Sequence, residues 1–149
     1  MSKDYDPRMH SAEHILNQTM VRMFGKGRSF SAHIEKKKSK CDYHFDRDLT
    51  TEELLQIEEK VNEVIASDMP VNEKFIGRSE AGKNYNLTRL PEDAGDSIRI
   101  IDIGDYDSCP CSGSHVKSTS EIGVFKIISA DYKDDVLRIR FKLEDNADS

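Results

Sequence analysis

Leu137-Arg138-Ile139-Arg140-Phe141-Lys142-Leu143 alternates apolar and basic residues without a break, the period-2 signature of a strand with one buried and one solvated face. Cys41, Tyr43 and Phe45 repeat the pattern against Asp42, His44 and Asp46, and Ile98 to Ile103 forms a short β-branched run. The period then changes. Thr50 with Glu53 makes a capping box, and Leu54, Ile57, Val61, Val64 and Ile65 fall on one helical face behind it. A second helix is predicted from Arg8 to Phe24, where Leu16, Met20, Met23 and Phe24 recur at helical spacing and Gly25 and Gly27 follow as stop signals. Hairpin-like spacing outnumbers strand-helix-strand units, so the fold class is α+β, a mainly antiparallel sheet packed on helices. Ser79 to Asp96 has turn residues and little periodicity, and reads as a loop.

At 149 residues with no Pro/Gly/Ser-rich linker, the chain is expected to form a single domain over 1–149. No apolar run reaches the roughly 20 residues that span a bilayer, and the N-terminus lacks the apolar stretch of a signal peptide. No membrane contact and a cytoplasmic location are therefore expected. The net charge of -6 argues against a general nucleic-acid binder, yet it is uneven, since Arg22 to Lys40 carries a local +6. That run is either a solvated basic turn or a phosphate contact.

Three cysteines, Cys41, Cys109 and Cys111, are an odd number, and only Pro110 separates the last two. Thiolate ligation is the better reading in a reducing compartment. His10-Ser11-Ala12-Glu13-His14 puts two imidazoles four residues apart, on one face of the first predicted helix. Taken alone, such a pair is more often surface or core than ligand. In Cys109-Pro110-Cys111-Ser112-Gly113-Ser114-His115, small residues let the chain turn tightly between a thiol and an imidazole. Thiolate with imidazole is a zinc-type set, with Cys109 the competing thiol to Cys111. His33 and His44 lie on predicted strands outside both motifs and are read as structural or exposed.

His-x-x-x-His together with Cys-x-Gly-x-His, followed by Val116, Thr119, Glu121, Ile122 and Gly123, resembles the editing domain of alanyl-tRNA synthetases. In that family the second motif typically reads Cys-Gly-Gly-Thr-His-Val, and Thr-Gly-Glu-Ile-Gly follows shortly. The likeness extends through Val61-Asn62 and Pro70-Val71, and the threonyl-tRNA synthetase editing domain shares both ligand motifs. With no stretch for an aminoacylation domain, the chain is expected to be a free-standing member of the AlaX type.

The resemblance implies Zn2+ held by His10, His14, Cys111 and His115, and mischarged tRNA, met at its acceptor end, as partner. It implies hydrolysis chiefly of seryl-tRNA(Ala), with glycyl-tRNA(Ala) as a second substrate. Seryl-tRNA(Thr) is the near competitor, although the Thr-x-Glu-Ile-Gly tail favours the alanyl branch. A non-catalytic zinc-stabilised tRNA- or synthetase-binding module and a hydrolase of small esters or amides stay open.

Where the family often has a serine-sensing Thr before the second His, this chain has Glu13. That carboxylate is a candidate general base or ammonium-binding group, against the alternative of an exposed helical Glu. Ser114 replaces Thr beside the last ligand and is a candidate substrate contact or a simple turn serine. Lys36, Lys37, Lys38 and Lys40 are candidates for acceptor-stem phosphates.

Overall fold

The computed structural model describes residues 6–35, 37–85, 96–111 and 113–144. Helix α1, Pro7–Phe24, begins where Asp6 accepts from the backbone N–H groups of Arg8 (2.9 Å) and Met9 (3.4 Å), with Pro7 in the first turn. It ends at Gly25, whose φ of 68° only glycine adopts cheaply. Helix α2, Thr51–Ala66, carries the anticipated capping box, with reciprocal bonds of 3.1 and 2.9 Å between Thr50 and Glu53. Its Ile57, Val61, Val64 and Ile65 are buried.

Seven strands follow or intervene: β1 (Ser31–His33), β2 (Ser39–His44), β3 (Val71–Gly77), β4 (Ser97–Ile103), β5 (Asp107–Pro110), β6 (Val124–Lys133) and β7 (Val136–Glu144). Among the described residues they divide into two sheets, β1-β2-β7-β6 and β3-β4-β5, with every strand pairing antiparallel. The α+β expectation holds, and the single anticipated sheet is two. In the larger sheet Cys41, Tyr43, Leu137, Ile139 and Phe141 face the core with Met9, Ile15 and Leu16 of α1. The loop expected over Ser79 to Asp96 is corrected in its first part, since Arg78–Asn84 forms a short helix, α3. Ala81 of α3 packs on Ile98 and Ile100 in a second apolar cluster, so tertiary contact supplies what local periodicity lacked. Residues 86–95 lie outside the described residues.

Two polar devices join the layers. Asn62 of α2 pairs with the backbone of Phe125 in both directions (2.8 and 2.9 Å), and Glu58 accepts from the Ile127 N–H (2.8 Å), so the helix covers the edge strand β6. Thr119 opens a 3₁₀ turn, Thr119–Ile122. Its buried hydroxyl accepts from the Met69 N–H (2.8 Å) and faces the carbonyls of Val64 and Ile65, both at 3.1 Å, which fixes the end of α2. The Thr-x-Glu-Ile-Gly tail is therefore structural here. No helix among the described residues is long and apolar enough to cross a membrane.

Candidate metal centre

Met9 to Asn17 is buried without interruption, which forces five polar side chains, His10, Ser11, Glu13, His14 and Asn17, out of water on one helix. Such burial costs free energy unless each group finds partners. Asn17 accepts from Tyr43 OH (2.8 Å) and the Ser29 N–H (3.1 Å). The others line the junction of α1 with the chain leaving β5.

There the two motifs meet. Ligand atoms of His10, His14, Cys111 and His115 all lie within 4.8 Å of one another. Cys111 Sγ is 3.3 Å from His10 Nε2 and 3.4 Å from His115 Nε2. The His115 ring sits 4.4 Å from that of His10 and 4.5 Å from that of His14, centroid to centroid. A tetrahedral zinc site, with Zn–S about 2.3 Å and Zn–N about 2.0–2.1 Å, has edges of about 3.4–3.6 Å. The two sulfur–nitrogen separations are close to that, and the cluster could hold a metal ion.

Electrostatics favour the ligating forms of Cys111 and His115, and the protonated form of His14, whose proton a metal ion would displace. Burial alone would push the Cys111 thiol up, but hydrogen bonds from His10, His115 and His14 outweigh it and bring its pKa to about 3, a thiolate at neutral pH. Burial and the neighbouring His14 and His10 take His115 down to about 4, against the pull of Cys111, so its imidazole is neutral. His14 goes the other way: burial is overcome by Asp107 and Cys111, and its pKa rises to about 9. Cys109, the competing thiol, is pushed up to about 11 by burial and sits on β5 opposite Ile101.

The surrounding groups were not legible as site residues. Asp107 Oδ2 lies 3.5 Å from His14 Nδ1, and the same carboxylate takes Arg28 at 2.7 and 3.3 Å and Gln18 Nε2 at 2.9 Å. Despite burial, His14 and Arg28 hold Asp107 well below the usual carboxylate range. Ser11 Oγ lies 2.9 Å from His115 Nδ1 and accepts from the Val116 N–H at 3.2 Å. Arg99 Nη1 donates to the carbonyls of Cys111 (3.1 Å) and Gly113 (2.7 Å), while the Cys111 N–H donates back to Arg99 O (3.2 Å). Gly113 is required, because a Cβ there would collide with the His10 ring. Only Gln18, one turn beyond His14 on the same face, carried a signal in spacing.

Glu13 is 4 % exposed, with Oε1 3.7 Å from His10 Nε2, which overturns the exposed-helix alternative for it. Ser114 is exposed. Lys37 and Lys38 are exposed and Lys40 is half-buried, at the β1–β2 connection; Lys36 and Ser112 lie outside the described residues. His33 and His44 are exposed and away from the cluster, His44 stacked on Phe30 at 4.0 Å between ring centroids.

Fold and site together define an α+β domain with a buried thiolate–imidazole cluster able to take a metal ion. Residues 98–140 match the family described as "Threonyl and Alanyl tRNA synthetase second additional domain". The alanine–tRNA ligase of Methanococcus maripaludis is 33 % identical over 139 residues, which is 90 % of this chain and 16 % of the ligase. That of Fervidobacterium nodosum is 35 % identical over 123 residues, and that of Neisseria meningitidis 30 % over 129, each covering 82 % of this chain and 14 % of the ligase. The chain is an editing-domain-like protein, related to alanine–tRNA ligases over most of its own length, and it spans only about a sixth of theirs or less.

Proposed function

We propose that this protein is a cytoplasmic aminoacyl-tRNA deacylase with Zn2+ held by His10, His14, Cys111 and His115, acting in trans on mischarged tRNA. Seryl-tRNA(Ala) is the first substrate and glycyl-tRNA(Ala) the second. The observation that carries the reading is the convergence of one thiol and three imidazoles within 4.8 Å, in a chain related to alanine–tRNA ligases.

A zinc ion in this set would supply Lewis acidity to an ester carbonyl or lower the pKa of a bound water. The chain's own groups prepare the site. With a metal ion bound, Ser11 can accept the Nδ1 proton of His115, the tautomer that would leave the Nε2 lone pair free for the ion instead of donating to Cys111. Asp107, clamped by Arg28 and Gln18, orients His14 from behind. Glu13 stands beside His10, out of bulk water, where a carboxylate can take a proton from a nucleophilic water or pair with a substrate ammonium. Lys38 and Lys40, beside the β1–β2 turn, supply positive charge for the acceptor end.

A second reading, a zinc-stabilised module that binds tRNA or a synthetase without turnover, is favoured by the four-ligand count, since a fully ligated ion has no open position. Serine release from purified seryl-tRNA(Ala), with alanyl-tRNA(Ala) and seryl-tRNA(Thr) in parallel, separates the two. Rapid release that spares alanyl-tRNA(Ala) and disappears in a folded Cys111→Ala variant is the expected result. Saturable tRNA binding without release from any of the three would favour the module.

A further inference from the structure

The outer face of the β1-β2-β7-β6 sheet carries an arrangement that sheet energetics do not favour. His33, Lys40 and Arg140 stand directly opposite one another across three adjacent strands, by the registers His33↔Lys40 and Lys40↔Arg140. Like charges opposed on one face of an antiparallel pair are destabilising. Counter-charges reach the two ends of the row: Glu35 pairs with His33, and Asp131 meets Arg140 at 2.8 Å. Lys40, in the middle, faces a cleft of about 140 Å³ lined by the row together with Glu35, Lys38 and Ser39.

Hydrogen bonds fix the floor of the cleft. Buried Ser39 closes the connection on itself, its hydroxyl accepting from the Glu35 N–H (3.0 Å) and lying 3.2 Å from Glu35 O. The same hydroxyl is 3.5 Å from Met9 Sδ, in α1, one residue before His10. Positive charge from two distant parts of the sequence, Lys38 and Lys40 on one side and Arg140 on the other, thus converges beside the helical turn that carries the first metal-site histidine. In a chain of net charge -6 this concentration is local.

We propose that this cleft is a phosphate subsite, taking one backbone phosphate of an RNA through Lys38, Lys40 and Arg140. An oxyanion between Lys40 and Arg140 would turn the repulsion across the strand pair into shared attraction, and the guanidinium fork suits a phosphate oxygen pair. The proposal deepens the deacylase reading, on which its choice of RNA rests, and differs from a diffuse lysine contact. Arg140, about 100 residues along the chain, matters in it as much as Lys40, and Lys37 does not matter.

The test is binding of uncharged tRNA, followed by fluorescence anisotropy across a series of salt concentrations, for the wild-type chain, Lys40→Gln, Arg140→Gln, Lys37→Gln and Lys133→Gln. Each lost phosphate contact should lower the slope of log affinity on log salt by about 0.7 to 0.9. Lys40→Gln and Arg140→Gln should each lower it by up to that much, and the double variant by no more than that one contact's worth in total, because the two groups share one phosphate. Lys37→Gln and the outlying Lys133→Gln should leave it unchanged. Equal slopes for wild type and both cleft variants, with the fold intact by circular dichroism, would overturn the subsite. So would equal losses from all four lysine and arginine variants, which marks a diffuse surface. Serine release measured on the same preparations keeps the two readings apart: altered slopes without turnover support the subsite and count against the deacylase, and turnover with unaltered slopes does the reverse.

Discussion

Replacing Arg99 should loosen the candidate metal centre without unfolding the domain. Its guanidinium is the tie between β4 and the turn that presents Cys111, through 3.1 and 2.7 Å bonds to the carbonyls of Cys111 and Gly113. A hydrogen bond from a charged donor contributes about 1.5–3 kcal/mol when sheltered. Arg99 is about a quarter exposed and also meets Glu73 at 3.2 Å, so about 1 kcal/mol for each carbonyl is the fitting figure. The two together come to about 2 kcal/mol, or roughly 30-fold at 1.4 kcal/mol per tenfold. Arg99→Gln should therefore bind Zn2+ about 30-fold more weakly in competition with a chromophoric chelator. Arg99→Lys, able to keep one of the two bonds, should lose about half of that free energy. Because the turn positions the thiolate, Co2+ substituted into Arg99→Gln should also have a weaker thiolate-to-metal charge-transfer band. If Arg99→Gln kept its zinc affinity within twofold and its Co2+ spectrum unchanged, the claim that the arginine positions Cys111 would fall.

Gly113→Ala places a methyl against the His10 ring, so the purified variant should carry far less than one zinc per chain by elemental analysis, while an alanine at exposed Gly77 should not alter the metal content. Thr119→Val keeps the shape of a fully buried side chain and strands the Met69 N–H, while the Val64 and Ile65 carbonyls keep bonds from Ser67 and Asp68, and should cost about 1–3 kcal/mol in urea unfolding with no change in metal affinity. The Asp42 carboxyl, held down chiefly by its hydrogen bonds to Arg138 (2.7 and 3.0 Å), has a lower pKa folded than unfolded. Its contribution is present above the unfolded carboxylate pKa of about 4 and is lost as pH falls through the folded value. Asp42→Asn should thus cost about 1 kcal/mol at pH 7 and nothing at the acid end, so that the two stability curves converge below about pH 4.

What the sequence made legible follows a division between local and non-local physics. The α2 capping box and stripe, the β7 alternation and the histidine spacing in α1 are all set by contacts within a few residues, and each has its counterpart in the structure. The choice of Cys111 over Cys109 is sharper in three dimensions, where one thiol faces three imidazoles and the other lies on a strand with a raised pKa. Arg28, Arg99 and Asp107 carry no spacing relation to the motifs, because the chain reaches them only by folding β4 and β5 against α1. The same holds for α3, which stands on two isoleucines of β4 rather than on its own periodicity. Glu13 is the instructive residue. Its place in the sequence allows either an exposed charge or a working one, and burial beside His10 removes the first alternative. A carboxylate kept out of water at a cluster that could hold a cation has a physical reason to be there, since the cation's charge offsets the cost of its burial. Glu13→Gln, which keeps the volume and removes the charge, therefore asks whether that charge serves the reaction or only the site: unchanged zinc affinity with lost serine release would assign it to the chemistry, and the reverse to the metal.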